Sequence, residues 1–164
     1  LDIDPTSALI YNNLGTVLST QQRYDDAIEK FKKAIEIDPQ STPAYYNWGR
    51  ALYYQKKYDE AIEKYKRTIE IDPQSAPAYS NWGLALHDQQ EYDDAIEKYK
   101  KAIEIDPKSV LAYYYLGVLY KTRGLRDEAI KSFQHVLELA PNTTLASDAK
   151  NSITELAKLE IKHD

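Results

Sequence analysis

Between Tyr58 and Pro73 the inward positions Ala61, Ile62, Tyr65, Thr68, Ile69 and Ile71 recur every three or four residues, the spacing that lays one stripe along an α-helix. The other face is charged, with Asp59, Glu60 and Glu63 early and Lys66 and Arg67 late. That order suits the helix dipole and predicts a pair from Glu63 to Arg67, four residues on. Pro73 ends the helix, since proline supplies no amide hydrogen and disfavours helix in the residue before it. Nearly the same sixteen residues stand at Tyr24–Pro39 and Tyr92–Pro107, and a worn copy, RDEAIKSFQHVLELAP, runs from Arg126 to Pro141, always 34 residues after the last. Self-similarity at that period is the mark of a repeat array.

A second helical pattern precedes each copy, as in ALIYNNLGTVLSTQQR from Ala8. The pattern predicts helices at 8–21, 25–38, 42–55, 59–72, 76–89, 93–106, 110–123 and 127–140, and no strand. Gly15, Gly49, Gly83 and Gly117 hold one place in every copy. A glycine in mid-helix costs about 1 kcal/mol against alanine, so its recurrence points to close helix approach. Ser7, Ser41, Ser75 and Ser109 precede the first helices as expected N-caps. The turn inside each repeat carries Gln22, Lys56, Gln90 or Gly124. If that turn needs a left-handed residue, the first three copies bear a strain of about 1 kcal/mol each. Leu1–Ser7, LDIDPTS, matches the tail IEIDPQS of the repeated stretch, so the chain is expected to begin inside an earlier repeat of a longer protein. After the fourth copy Leu145, Ala149, Ile153, Leu156 and Leu159 form an apolar stripe on a last helix over about 145–161, expected to cover the exposed end of the array. The domain plan is therefore 1–7 as a preceding tail, repeats at 8–41, 42–75, 76–109 and 110–143, and a capping helix in 144–164.

The 164 residues are 43% hydrophobic and 29% charged, ordinary for a globular chain, and no apolar run approaches the roughly 18 residues of a membrane span. With a net charge of −5, general affinity for nucleic acid or anionic lipid is not expected. Cysteine is absent, which removes disulfide and thiolate chemistry. The histidines His87, His135 and His163 lie far apart, no Ser-His-Asp set or glycine-rich phosphate loop can be assembled, and each acidic cluster belongs to a repeated outer face. Neither catalysis, nor a metal, nor a cofactor is expected.

Tyr79, Trp82, Gly83, Ala95, Tyr99, Ala102 and Pro107 stand at the fourth, seventh, eighth, twentieth, twenty-fourth, twenty-seventh and thirty-second places of the third copy. This pattern resembles the tetratricopeptide repeat, and the resemblance covers Ala8 to Thr143. Thr68 and Val136 depart from it where the first and third copies have alanine. The resemblance implies an all-α, right-handed superhelical solenoid whose first helices line a concave groove that holds a protein or peptide segment.

By position in the repeat, the lining includes Asn12, Asn13, Thr16, Ser19 and Thr20 from the first repeat and Tyr46, Asn47, Arg50, Tyr53 and Tyr54 from the second. The third gives Ser80, Asn81, Leu84, His87 and Asp88; the fourth gives Tyr114, Tyr115 and Lys121. Ten of the fifteen tyrosines fall at places the repeat reserves for packing; Tyr46, Tyr53, Tyr54, Tyr114 and Tyr115 do not, and all five lie on the lining face. Tyrosine suits such a surface through large area at low entropy cost. Arg50 and Lys121 favour a ligand bearing one or two carboxylates. Asn13, Asn47 and Asn81 recur at one place and resemble the asparagine ladder of O-linked N-acetylglucosamine transferase, which Tyr115 interrupts. The carboxylate clamp of chaperone-binding relatives would need basic residues around Asn12, Thr16, Pro77 and Asn81, and they are missing.

Three kinds of function fit: an adaptor holding an extended or short helical peptide, the recognition arm of a larger enzyme such as a glycosyltransferase, and a scaffold that self-associates through an array end.

Overall fold

The computed structural model describes residues 5–160, and among them there are nine helices and no strand. Helices α1 (Pro5–Thr20), α3 (Thr42–Tyr54), α5 (Ala76–Asp88) and α7 (Val110–Thr122) alternate with α2 (Tyr24–Ile37), α4 (Tyr58–Ile71), α6 (Tyr92–Ile105) and α8 (Arg126–Leu139); α9 (Thr144–Glu160) follows. Apart from the start of α1, every boundary falls within a residue of the predicted one. Helix α1 begins at Pro5, which fits the first helical turn because its missing amide hydrogen would have no partner there. Ser7 is therefore inside the helix, and residues 1–4 of the expected preceding tail lie outside the described residues, as does His163.

Each odd-numbered helix packs against the even-numbered helix after it, and α1, α3, α5, α7 and α9 also approach their nearest neighbours within that set. Helices α2, α4, α6 and α8 do not approach one another. The odd helices are thus the inner layer and the even helices the outer layer of a helical solenoid. Close approach comes from the glycines: a Cβ on Gly15 or Gly49 would stand 2.6 Å from the ring of Phe31 or Tyr65, and Gly83 and Gly117 face Tyr99 and Phe133 in the same way. These four rings are wholly buried.

The joint between repeats is chemical as well as apolar. Asp38, Asp72 and Asp106 are extended, as residues before proline prefer, and each side chain accepts the backbone N–H two residues on at 3.0 Å. These turns, and not serine hydroxyls, shape the entry to the next helix: Ser41, Ser75 and Ser109 sit at N-cap positions but none makes a side-chain cap bond. The hydroxyl that does cap is that of Thr143, which accepts from the Ala146 amide at 3.2 Å and starts α9. Cross-repeat bonds thirty residues apart add a staple: Gln55 donates to Asp25 and Gln89 to Asp59, each at 2.8 Å, and Arg123 donates to Asp93. On the outer face Arg67 pairs with Glu70 at 2.8 Å and lies over the Tyr45 ring, so the expected partner Glu63 is not used.

Helix α9 starts 34 residues after α7 and touches both α7 and α8, so it takes the seat of a further inner helix. Ala146, Ala149 and Leu156 are buried in one cluster with Ala129, Phe133 and Val136, and Leu145 and Ile153 pack on it. Leu159, the last residue of the predicted stripe, falls outside the described side chains.

Candidate functional site

Because the inner helices stand side by side at a 34-residue interval, side chains 35 apart meet across neighbouring repeats. Asn47 donates to Asn12 at 3.0 Å and to Thr16 at 3.4 Å; Asn81 donates to the Tyr46 hydroxyl and to the Pro77 carbonyl, both at 2.9 Å; the Tyr53 hydroxyl donates to Asp88 at 2.6 Å. Two of the three ladder asparagines are therefore knitted into their neighbours, while Asn13 is exposed. Asn12 is only 6% exposed and Ser80 is buried beside Ser109, so neither is an open part of the lining.

The five tyrosines outside the packing places are not all spare. Tyr46 and Tyr53 pack on one core cluster, Tyr53 and Tyr115 on a second and Tyr114 on a third. Tyr54 alone of the five counts among the exposed large hydrophobics, at 53%. Their rings fall into two groups, and Tyr46 meets the buried Tyr65 instead. Tyr54 stacks on Tyr24 at 5.7 Å and meets Tyr53 edge-on at 5.6 Å; His87 lies 5.7 Å from Tyr115, which stacks on Tyr99 and meets Tyr114 edge-on at 5.4 Å. Tyr24 joins the first group although its place in the repeat marks it for packing. The signal that could have found it is the same thirty-residue spacing that joins Asp25 to Gln55. Leu84 is half-buried on α5, the inner helix between those of Tyr54 and Tyr114.

Burial raises the Tyr53 hydroxyl above the ordinary tyrosine range, helped by its bond to Asp88, and burial also raises Tyr46 and Tyr115. All three remain neutral donors at neutral pH. The charges of the inner face are fewer than the sequence suggests. Asp88 is held by Tyr53 and by the His87 ring at 3.0 Å. Lys121 is taken by Glu155 of α9, with Ser152 at 3.4 Å, so it is not an open groove cation. Arg50 lies half-buried by the Tyr46 ring, 6.0 Å from its centre, with no carboxylate within 4 Å. A cavity of about 330 Å³ opens here between α1 and α3, lined by Thr16, Ser19, Thr20, Gln22, Tyr24, Phe31, Asn47, Arg50, Ala51 and Tyr54.

No helix among the described residues is long and apolar enough to cross a membrane. Three profiles of the tetratricopeptide repeat match residues 8–41, 110–143 and 30–63, and a fourth, described as TPR repeat, matches 49–90 and 83–124. No curated protein matches the chain in sequence. A crystal structure of MamA is similar at 37% identity and a TM-score of 0.74, over 83% of this chain and 80% of that one. PilF of Pseudomonas aeruginosa shares the fold at 21% identity and a TM-score of 0.86, over 96% and 70% of the two chains. The first tetratricopeptide domain of Spaghetti (RPAP3), bound to the HSP90 peptide SRMEEVD, shares it at 24% identity and a TM-score of 0.70, over 74% and 96%. Paired helices on a 34-residue step, a glycine seated under an aromatic ring in every copy and profile matches from Ala8 to Thr143 have one reading: the chain belongs to the tetratricopeptide-repeat family and is a protein-interaction scaffold of that family.

Proposed function

We propose that the scaffold is non-catalytic and holds an extended or short helical segment of another protein along its inner face. The observation that carries this is two groups of partly exposed aromatic rings, Tyr24, Tyr54 and Tyr53 in one and His87, Tyr115 and Tyr114 in the other, linked through Asp88, which accepts from Tyr53 and contacts the His87 ring. Rings already fixed by core contacts lose little freedom when a ligand covers them, so contact area is turned into affinity at low entropic cost. Asn13 offers a whole amide to a peptide backbone, Asn47 and Asn81, whose N–H groups are engaged, offer their side-chain oxygens, and Leu84 offers an apolar contact. The clamp positions of chaperone-binding relatives hold no basic residue, and one of them, Asn12, is buried, so a tail of that kind is not the ligand.

The test is to isolate a binding partner and compare three variants that melt as the parent does. Tyr54→Ala and Tyr115→Ala each lower affinity by tenfold or more, the loss of about 2 kcal/mol typical of a ring anchor. Glu63→Ala, on the outer face of α4, leaves it unchanged. Loss of binding in Glu63→Ala with both tyrosine variants unaffected puts the partner on the convex side and rejects the groove.

A second reading, self-association through the first helix, is favoured by one observation. Ile10, Leu14 and Val17 are 60%, 43% and 51% exposed, whereas Ala44, Ala51, Ala78, Ala85, Ala112, Leu116 and Leu119, at the same places of later repeats, are buried. The occupant proposed is the same stripe on a second copy.

A further inference from the structure

The outer faces of the joints between repeats are built alike at two places and differently at the third. Trp48 of α3 faces out between α2 and α4, with the Lys64 ammonium 4.4 Å and the Lys32 ammonium 5.9 Å from its ring centre. Trp82 repeats the arrangement 34 residues on, with Lys98 at 4.6 Å and Lys66 at 5.2 Å. Each indole is thus bracketed by one lysine from each neighbouring outer helix, and the ring face attracts both cations. Trp82 and Lys98 also form a wall, since both line a cavity of about 410 Å³ on one side and one of about 490 Å³ on the other. At the joint between the third and fourth repeats the same places hold Leu116 and Ser132. Leu116 is buried, and the Ser132 hydroxyl turns back to donate to the Glu128 carbonyl at 2.8 Å. The wall is gone, and a single cavity of about 300 Å³ runs across its place. Lys100, Tyr120 and Glu128 in it answer to Lys66, Leu86 and Asp94 on one side of Trp82, and Tyr113, Lys131 and His135 to Tyr79, Glu97 and Lys101 on the other. Tyr120, bulkier than Leu86, takes up part of the space.

Shape and charge both bear on what such a cavity takes. Ile103 and Leu116 line it with apolar surface, and the Tyr113 and His135 rings, 4.5 Å apart, make a wall of stacked faces. Lys100 keeps the place of Lys32 and Lys66 but, among the described residues, has neither a ring nor a carboxylate paired with it. Lys131 stands where the first three repeats have Glu29, Glu63 and Glu97, so the charge there is reversed. Glu128 is the one carboxylate of the lining, and His135 lies 3.4 Å from Glu138. In a chain of net charge −5 this rim is locally basic. We propose that the cavity is a socket for one aromatic side chain of a partner protein, presented next to an acidic residue. The incoming ring takes the place that an indole of the chain itself holds at the other two joints, beside Lys100 and against the Tyr113–His135 wall, and the neighbouring carboxylate meets Lys131. An aromatic anchor in a preformed pocket supplies most of the affinity, and rim charge selects the partner. The socket lies on the opposite face from the inner groove and stands independently of the reading given to that groove.

The experiment is a proton–nitrogen correlation titration of the 164-residue chain with three acetylated, amidated tripeptides, DWE, DAE and KWK. DWE gives saturable shifts at the amides of Leu116, Lys131, Ser132 and His135. DAE, which lacks the ring, gives none, and KWK binds about tenfold more weakly than DWE because its charges meet like charges. Lys131→Glu, an exposed change to the residue of the other repeats, reverses the order of DWE and KWK. Lys66→Gln, at the joint that Trp82 fills, leaves both affinities unchanged. Rebuilding the third joint by Leu116→Trp, Tyr120→Leu and Ser132→Lys, the set present around Trp82, weakens DWE by about tenfold or more, since the chain then supplies its own ring. Should that variant fail to fold, the reversal by Lys131→Glu still decides. Equal shifts with DAE, a preference for DWE that survives Lys131→Glu, or undiminished DWE binding by the folded triple variant each overturn the proposal. Shifts confined to the amides of Tyr54 and Leu84 put the tripeptide in the inner groove and overturn it too.

Discussion

Glycine serves this chain for two unrelated reasons, and single substitutions separate them. Gln22, Lys56 and Gln90 occupy the turn inside each repeat with φ of 61°, 62° and 66°, where the fourth copy has Gly124 at 70°. Left-handed backbone crowds a Cβ against the next carbonyl, so each of the three carries a strain of about 1 kcal/mol, partly offset because glycine loses more freedom on folding. Replacing all three by glycine raises the melting temperature by several degrees, as expected for about 1–2 kcal/mol in a domain of this size. Gly124→Ala lowers it by a similar single increment, because an added Cβ there meets nothing within 4 Å and only the backbone responds. Gly49→Ala is the opposite case, since its Cβ would press on the Tyr65 ring at 2.6 Å, and it costs roughly 1–3 kcal/mol by overpacking. Thermal denaturation of the set decides: if the triple glycine variant melts below the parent, the turn is not strained. The hydroxyls of Tyr65 and Tyr99 are buried without partners where the first and fourth copies have Phe31 and Phe133. Tyr65→Phe is therefore neutral or stabilising. The turn geometry could be read conditionally from the position of Gly124. The unused serine caps could not, because propensity does not reveal that an aspartate turn three residues earlier already sets the entry.

At the scale of elements, helix boundaries were legible because proline and the 34-residue period fix them, and α9 was legible as a cover from its stripe. What the sequence hid is how α9 is tied down. The Arg126 side chain donates to the Leu156 carbonyl at 3.1 Å, and Lys121 pairs with Glu155, contacts that depend on the two helices being neighbours in space. In sequence Lys121 stands as a groove cation, because Glu155, 34 residues on, meets it only in the fold. Removing residues 143–164 uncovers Phe133 and Val136, and nearest-neighbour coupling carries the loss into the other repeats. The truncated chain melts lower and more broadly than the parent; an unchanged melt would show that α9 is not a structural cover. The Glu155 carboxyl is held below the ordinary glutamate value by its hydrogen bond to Lys121. A depressed carboxyl stabilises the fold above its unfolded pKa of about 4.3 and loses that contribution as pH falls through the folded value. Parent and Glu155→Gln should therefore differ in melting temperature at pH 7 and draw together as pH falls below the unfolded value of about 4.3.

Across the whole molecule the two ends of the array are unlike. Helix α9 covers the last repeat, whereas the stripe of Ile10, Leu14 and Val17 on α1 is open among the described residues. The period makes the consequence explicit, because the matching places on α3, α5 and α7 bear alanine, tryptophan or leucine packed against the preceding repeat. Aliphatic side chains at this face present an apolar surface that a preceding repeat or, as proposed above, the same stripe on a second copy would cover. A two-fold contact of α1 with α1 of a second copy buries the same residues on both chains and closes on itself, giving a dimer and not a fibre. The mass of the 164-residue chain in light scattering should accordingly rise from monomer to dimer with concentration. Ile10→Glu combined with Val17→Lys should keep it monomeric without lowering the melting temperature of the monomer, since both side chains are more than half exposed there. A variant that still dimerises moves the contact to another surface, and a parent that stays monomeric at every concentration removes self-association through this end.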